Sequence, residues 1–213
     1  MDGKFAWPVI IGVAGGSSSG KTAFCQSILG QVGGEHISYL SHDSYYRDYL
    51  HLSLTERRKI NYDHPDALEN ELLLAHLKAL KAGRAVEAPS YDFVEHRRKK
   101  ETRRIEPKPI LLLEGILVLA DEGLRDLMAL KIYLDAPPDV CFIRRLERDI
   151  AERGRTVEGV IQQYLSTVHP MHLEFVEPSK RHADLIVPGG GLNQMAIQVV
   201  AGWLREILSR EKG

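Results

Sequence analysis

Residues Gly15-Gly16-Ser17-Ser18-Ser19-Gly20-Lys21-Thr22 fit the pattern G-x-x-x-x-G-K-[ST] between an apolar run, Val9 to Ala14, and a helical pattern, Lys21 to Gln31. That order dictates a buried strand, a tight glycine-bearing loop and a helix whose N-terminus faces the loop. The glycines let successive backbone N–H groups turn toward one anion, and the helix dipole adds positive potential behind them. Lys21 can then reach the β- and γ-phosphates of ATP, while Thr22 offers a hydroxyl to Mg2+. The eight residues Gly15, Gly16, Ser17, Ser18, Ser19, Gly20, Lys21 and Thr22 are the expected phosphate site.

Beyond the loop, short apolar runs alternate with helical patterns, which predicts an α/β chain with about five parallel strands and helices on both faces. The strands are expected at Val9 to Ala14, His36 to Leu40, Pro109 to Leu113, Leu130 to Leu134 and Asp184 to Val187. The unbroken Ile110-Leu111-Leu112-Leu113 run suits a strand buried on both faces. Helices are expected at Leu54 to Ile60, Asp66 to Ala82, Asp139 to Arg153, Val157 to Val168 and Asn193 to Ser209, the last with Trp203, Leu204 and Leu208 inward. From Ala85 to Ile105 the rhythm changes. Tyr91 and Phe93 alternate with polar residues ahead of a charged turn at Glu95 to Lys100, the pattern of an inserted β-hairpin. Residues 1–213 are thus expected to form a single domain, with 85–105 as the hairpin insertion and 139–168 as a helical lid region.

A net charge of −1, with no long basic tail, gives no sign of a nucleic-acid or membrane-surface partner. Met1 to Pro8 lacks a basic-then-apolar leader pattern, and no apolar run reaches the ~18 residues needed to span a bilayer. A cytoplasmic location is the expectation. Cys25 and Cys141 lack metal-ligand spacing and are expected to be inert buried thiols.

Two acidic residues fall at strand ends, where ligands of open α/β sheets bind. Glu114 follows the Ile110-to-Leu113 run, and beside a phosphate loop it is a candidate for Mg2+ or its water shell. Asp43 follows the second strand and is a candidate to orient an acceptor hydroxyl and take its proton. Thr22, Glu114 and Asp43 form the candidate metal set. The third feature is an arginine-rich helix, in which Phe142, Leu146 and Ile150 share a face with Arg144, Arg145 and Arg148 offset from it. Crowding of arginines toward Gly154 suits neutralisation of a phosphoryl group in transfer. Glu147, Asp149 and Glu152 would otherwise make it an ordinary salt-bridged face. The residues therefore point to an ATP·Mg2+-dependent kinase acting on a small hydroxyl compound.

The loop is followed in order by Ser41-His42-Asp43-Ser44-Tyr45-Tyr46-Arg47, Asn61-Tyr62-Asp63-His64-Pro65-Asp66 and Tyr91-Asp92-Phe93-Val94-Glu95-His96. From about Val9 to Asn193 this set closely resembles the uridine-cytidine kinase family of P-loop nucleoside kinases. The resemblance implies a P-loop NTPase fold and phosphorylation of the 5′-hydroxyl of uridine and cytidine. Asp43 then corresponds to the base at the 5′-hydroxyl, and Asp63 to the carboxylate that holds the ribose 2′- and 3′-hydroxyls. Tyr46, Tyr91 and Phe93 correspond to the aromatic groups around the pyrimidine, His96 to the group facing its 4-substituent, and Gln163 to a residue close to the base. In the Arg-rich helical lid, Arg148 and Arg153 correspond to contacts of the transferring phosphates, Arg145 to the ribose side and Arg155 to the nucleotide. A homo-oligomer, in the family a tetramer, and end-product inhibition are further implications.

Two positions depart from the family pattern: His42 stands where many relatives carry Gln, and Gly189 where relatives often carry Arg. Two other readings remain open at this level. A phosphoribulokinase-like or pantothenate kinase-like enzyme would keep the phosphate loop and change the acceptor. A nucleotide-gated binding module would keep the loop alone, although no Asn-Lys-x-Asp guanine-reading motif is present.

Overall fold

The computed structural model describes residues 8–211. The stretch read above as lacking a leader pattern lies almost wholly outside them. A five-stranded parallel sheet has the order β2-β7-β1-β8-β9, from β1 (Val9–Gly15), β2 (Ile37–Ser41), β7 (Ile110–Glu114), β8 (Leu130–Asp135) and β9 (Leu185–Pro188). Its central strand β1 and the neighbouring β7 are buried along their whole length, as continuous apolar runs require.

Alternation along the strands divides the core between the sheet's two faces. Val9, Ile11, Val13, Ile110 and Leu112 pack with Phe24 and Ile28 of α1 (Lys21–Val32), and with Ile197 and Leu204 of α9 (Gln194–Glu211). Ile10, Leu111 and Leu113 pack instead with Leu73, Leu77 and Leu80 of α3 (Asn70–Lys81). Burying each of these leucines contributes about 2 kcal/mol. Of the three residues expected inward on the last helix, Leu204 and Leu208 are buried, whereas Trp203 is only partly covered.

Between α3 and β7 the chain forms a hairpin in two tiers. The strand β3 (Val86–Ala88) pairs with β6 (Arg103–Ile105), and β4 (Tyr91–Asp92) pairs with β5 (Arg97–Arg98). The turn is therefore at residues 93–96 and not over the charged stretch Glu95 to Lys100. The reason is local: the Asp92 carboxylate accepts the backbone N–H groups of Val94 and Glu95 at 2.9 and 3.0 Å, and His96 takes the left-handed conformation (φ 49°) that ends the turn. The hairpin docks through arginines. Arg98 donates to the carbonyls of Tyr46 and Tyr45 and pairs with Glu69 at 2.7 Å, while Arg57 of α2 (Leu54–Arg57) donates to Glu95 O at 3.2 Å.

The lid region departs further from expectation. Helix α5 (Pro138–Arg153) leaves Ile143 and Ile150 exposed and buries Arg145 and Asp149 instead, so its inward face is charged. After α6 (Val157–Gln163) the winding continues through residue 182, with π-helical stretches at Tyr164–Val168 and His172–Val176 around the short α-turns α7 (His169–Met171) and α8 (Glu177–Ser179). Each π-stretch contains the residue four before a proline, Ser166 for Pro170 and Glu174 for Pro178. Widening the turn there relieves the clash between a proline ring and the carbonyl four residues back. Neither this continuation nor α4 (Glu122–Leu127), capped by the Asp121 side chain, is evident in the apolar periodicity.

Candidate active site

The phosphate loop takes positive φ at Gly15 (φ 141°), Ser18 (φ 61°) and Gly20 (φ 96°), two of the three being glycine and Ser18 the exception. A side chain at Gly20 would come within 3.0 Å of the Gly191 backbone, so only glycine fits between the loop and the turn after β9. Gly191 N–H donates to Ser19 O at 2.9 Å and ties that turn to the loop. The Lys21 ammonium donates to Gly15 O at 3.1 Å and Gly16 O at 2.8 Å, curled over the loop's own carbonyls. Burial lowers its pKa from the usual lysine value, opposed by Glu114 and Asp43. The buried hydroxyls of Ser18 and Ser19 make no hydrogen bond within the protein, which suits a loop that is completed by an anion.

Sheet register brings the acidic residues to this loop. Glu114 ends β7 opposite Val13 of β1 and Ser41 of β2. Its carboxylate accepts from Thr22 Oγ1 at 3.3 Å and from the Tyr39 hydroxyl at 3.0 Å. Burial raises its pKa from the usual glutamate value, with Lys21 pulling it back. Asp43 lies two residues past β2 in a 3-10 turn, His42–Tyr45, near enough to Lys21 for its charge to support the ammonium. That turn is anchored by His42, whose ring nitrogen Nε2 lies 2.7 Å from Asn70 Oδ1; the Asn70 amide in turn donates to Asp121 at 2.9 Å. Because the amide nitrogen is committed to Asp121, the Asn70 oxygen is the acceptor and His42 carries its proton on Nε2.

Facing the loop is a cavity lined by Ser17, Asp43, Tyr46, Tyr62, Asp63, Tyr91, Phe93, His96, Arg145, Arg148, Arg153, Arg155 and Gln163. Every acceptor-side residue expected from the sequence is in it, together with Tyr62, which was not expected. Its aromatic members also pack on one another. Tyr46 lies 5.2 Å from both Tyr62 and Tyr91, and Tyr91 lies 5.3 Å from Phe93, with ring planes steeply inclined. His96 tilts over Tyr62 at 5.1 Å. The ring cluster that joins the hairpin to Tyr46 and Tyr62 thus also lines the cavity. Burial and the surrounding arginines, Arg155 foremost, push the His96 pKa down to about 4, so the ring is neutral near pH 7.

Asp63 is 7% exposed, and burial raises its pKa above the usual carboxylate value, with Arg145, Arg155 and Arg153 opposing the rise. Arg145 reaches across to Ser17 Oγ at 2.7 Å and to Gln163 Oε1 at 3.0 Å, which links lid, loop and cavity. The Arg153 guanidinium lies 4.6 Å from the Phe93 ring centroid. Four guanidiniums of the lid converge on the buried Asp149 carboxylate. That residue was read from sequence only as an ordinary salt-bridge partner; the arginines four positions either side of it, Arg145 and Arg153, were the available signal. Arg144, offset on the same helix, does not line the cavity. Cys25 is buried as expected, but Cys141 is only partly so and lines a second cavity that includes Gly16 and Tyr133.

The oxygen donors Thr22, Glu114 and Asp43 meet the chemistry of Mg2+, which binds through one or two carboxylates together with phosphate oxygens. Among the described residues, no group of three or more His, Cys, Asp and Glu side chains forms a metal cage. No helix among the described residues is long and apolar enough to cross a membrane.

A five-stranded parallel sheet with a G-x-x-x-x-G-K-[ST] loop after its central strand is the architecture of a P-loop kinase. The family profile described as "Phosphoribulokinase / Uridine kinase family" matches residues 10–196, and the chain belongs to that family. The uridine kinase of Chloroflexus aurantiacus is 56% identical over 202 residues, covering 95% of this chain and 97% of that protein. The uridine kinase of Shewanella amazonensis is 50% identical over 206 residues, covering 95% and 97%. Among solved structures, phosphoribulokinase from Rhodobacter spheroides shares the fold at a TM-score of 0.61 and 20% identity, over 84% of this chain and 69% of that one. D-glycerate 3-kinase from Cryptococcus neoformans does so at 0.56 and 18%, over 81% and 80%. The chain is accordingly a phosphotransferase.

Proposed function

We propose that this kinase transfers the γ-phosphoryl group of ATP to the 5′-hydroxyl of uridine and cytidine, giving UMP or CMP and ADP. One observation carries the reading: a single cavity beside the phosphate loop holds two carboxylates, an aromatic wall, a neutral imidazole and four arginines. The names of the closely similar relatives support it. Residues 85–105 then form the nucleoside-binding insertion and 139–168 the lid of a single domain.

In this mechanism Gly15 to Thr22 cradle the ATP phosphates, and Lys21 leaves the loop carbonyls for the β- and γ-oxygens. Asp43 accepts a hydrogen bond from the 5′-hydroxyl and takes its proton as the new O–P bond forms and the bond to the β-phosphate oxygen breaks. The proton then leaves to solvent. Arg148 and Arg153 neutralise charge on the phosphoryl oxygens, with Arg155 at the nucleotide and Arg145 on the ribose side. Thr22 and Glu114, with Asp43 at their edge, would hold Mg2+, which when bound neutralises charge on the β- and γ-phosphates.

Asp63 accepts both ribose hydroxyls, so loss of one leaves a buried acceptor unpaired. A site built this way rejects the analogue lacking the hydroxyl by on the order of 10⁴. Asp63→Ala should therefore lose most of the preference for uridine over 2′-deoxyuridine, read as the ratio of kcat/KM values. A ratio that survives the substitution removes Asp63 from ribose recognition.

Stacking on Tyr46, Tyr91 and Phe93 gives affinity for either base, while neutral His96 offers one donor and one acceptor to a 4-oxygen or 4-amino group. With its pKa near 4, His96 gains no proton between pH 5.5 and 8. The uridine-to-cytidine ratio of kcat/KM should stay constant over that range; a change of more than about threefold would mean that a protonated imidazole reads the base. The proposal as a whole is tested by ADP release with uridine, cytidine, ribulose 5-phosphate and pantothenate. Turnover with both nucleosides is expected, and turnover confined to either of the last two overturns it.

A further inference from the structure

Helix α5 turns a carboxylate toward the interior, and nothing in the phosphoryl-transfer mechanism above uses it. Asp149 is fully buried. Its Oδ1 accepts from Arg148 Nε and NH2 at 3.0 and 2.8 Å and lies 3.4 Å from Arg153. Its Oδ2 accepts from Arg155 at 2.9 Å and lies 3.7 Å from Arg145 Nε. The main chain of the same residue acts in parallel. Asp149 O accepts the N–H of Gly154, whose φ of 61° ends the helix, and the N–H of Arg155 at 3.1 Å. That turn sends Arg155 back over the cavity it shares with the three arginines of the helix.

We propose that Asp149 is a positioning residue for phosphoryl transfer, its carboxylate holding Arg145, Arg148, Arg153 and Arg155 as one preorganised array that faces the acceptor cavity. The inference rests on the reading of that cavity given above. Four buried or half-buried guanidiniums repel one another, and a central carboxylate offsets the repulsion while fixing each guanidinium plane. Burial works to raise the Asp149 pKa, yet Arg153, Arg145 and Arg148 together hold it below the ordinary carboxylate value. Each guanidinium has five N–H donors and a carboxylate about four lone-pair sites. Asp149 thus occupies a minority of the donors; apart from those that Arg145 and Arg155 give to Ser17 and Gln163, the rest remain for phosphoryl oxygens. An array already oriented needs no rearrangement as charge develops, and that is where such groups act most strongly. Asp149 itself touches no reacting atom.

The test is steady-state kinetics of the full chain carrying Asp149→Asn or Asp149→Glu, with ATP and uridine, and kcat expressed per folded molecule from the calorimetric unfolding enthalpy. The Asn variant keeps the shape and removes the charge; it should lower kcat by about 30-fold while KM for ATP changes by less than about threefold. The Glu variant retains the charge and should recover part of the lost kcat. A kcat per folded molecule within about threefold of the parent in Asp149→Asn overturns the proposal, as does a loss with no recovery in Asp149→Glu, which would mark a purely structural role. Asp43→Asn is run alongside. If that substitution also leaves turnover intact, the reading of the cavity fails; if it abolishes turnover, a failure belongs to Asp149 alone.

Discussion

Replacing Asp43 by Asn should lower kcat by about 10³-fold while KM for ATP stays within about twofold. Asn keeps the volume and one acceptor oxygen, so the 3-10 turn from His42 to Tyr45 and its anchor through His42 and Asn70 remain intact. What is lost is basicity at the point where the acceptor hydroxyl must give up its proton. The alternative bases in the cavity are poorly placed to substitute: His96 lies on the aromatic wall beside Tyr62, and Asp63 is held among Arg145, Arg155 and Arg153. Initial-rate kinetics with uridine and ATP check this, and parent-like turnover would mean that another group takes the proton.

Lys21→Met should reduce kcat/KM for ATP by about 10³-fold. Methionine matches the aliphatic stem and removes the ammonium, which in this structure is buried against the loop carbonyls with Glu114 and Asp43 nearby. Two losses combine. The β- and γ-phosphates lose their one mobile cation within the loop, and Glu114, whose pKa burial already raises, loses the charge that pulls it back. The second loss favours a protonated Glu114, a poorer ligand for any cation carried by the nucleotide. ATP titration monitored by calorimetry together with initial rates separates binding from turnover. An unchanged kcat/KM would show that the loop does not present the γ-phosphate in the way described.

The central sheet and the phosphate loop were legible because their signals are local. A short continuous apolar run such as Ile110 to Leu113, among alternating helical patterns, suits a strand covered on both faces, and G-x-x-x-x-G-K-[ST] encodes a backbone shape. The acceptor cavity was legible mainly through the ordered motifs around Asp43, Asp63 and Tyr91, since the residues themselves come from a 3-10 turn, a loop, a hairpin and the lid. What stayed hidden depends on tertiary context. The residues that α5 buries most completely are Arg145 and Asp149, while of the apolar face at Phe142, Leu146 and Ile150 the first two are half-buried and Ile150 is exposed, so the apolar stripe did not mark the helix's inward face. The hairpin turn moved to residues 93–96 because Asp92 caps two backbone N–H groups there, a choice that charge patterning does not encode. The winding across Pro170 and Pro178 persists because π-turns absorb the prolines, where the usual rule ends a helix. Tyr62 and Asp149 were each adjacent to a recognised residue, and only their placement in space gives them a role.

The central claim is that the nucleoside enters with its 5′-hydroxyl at Asp43 and its 2′,3′-diol at Asp63, so that one oxygen alone faces the γ-phosphate. The most direct test is the position of the new phosphate when uridine is the acceptor, read by proton-coupled phosphorus NMR of the product. A single 5′-monoester, whose phosphorus couples to the two 5′-methylene protons, is the predicted result; a 2′- or 3′-monoester, or free phosphate released without a nucleotide product, would contradict it.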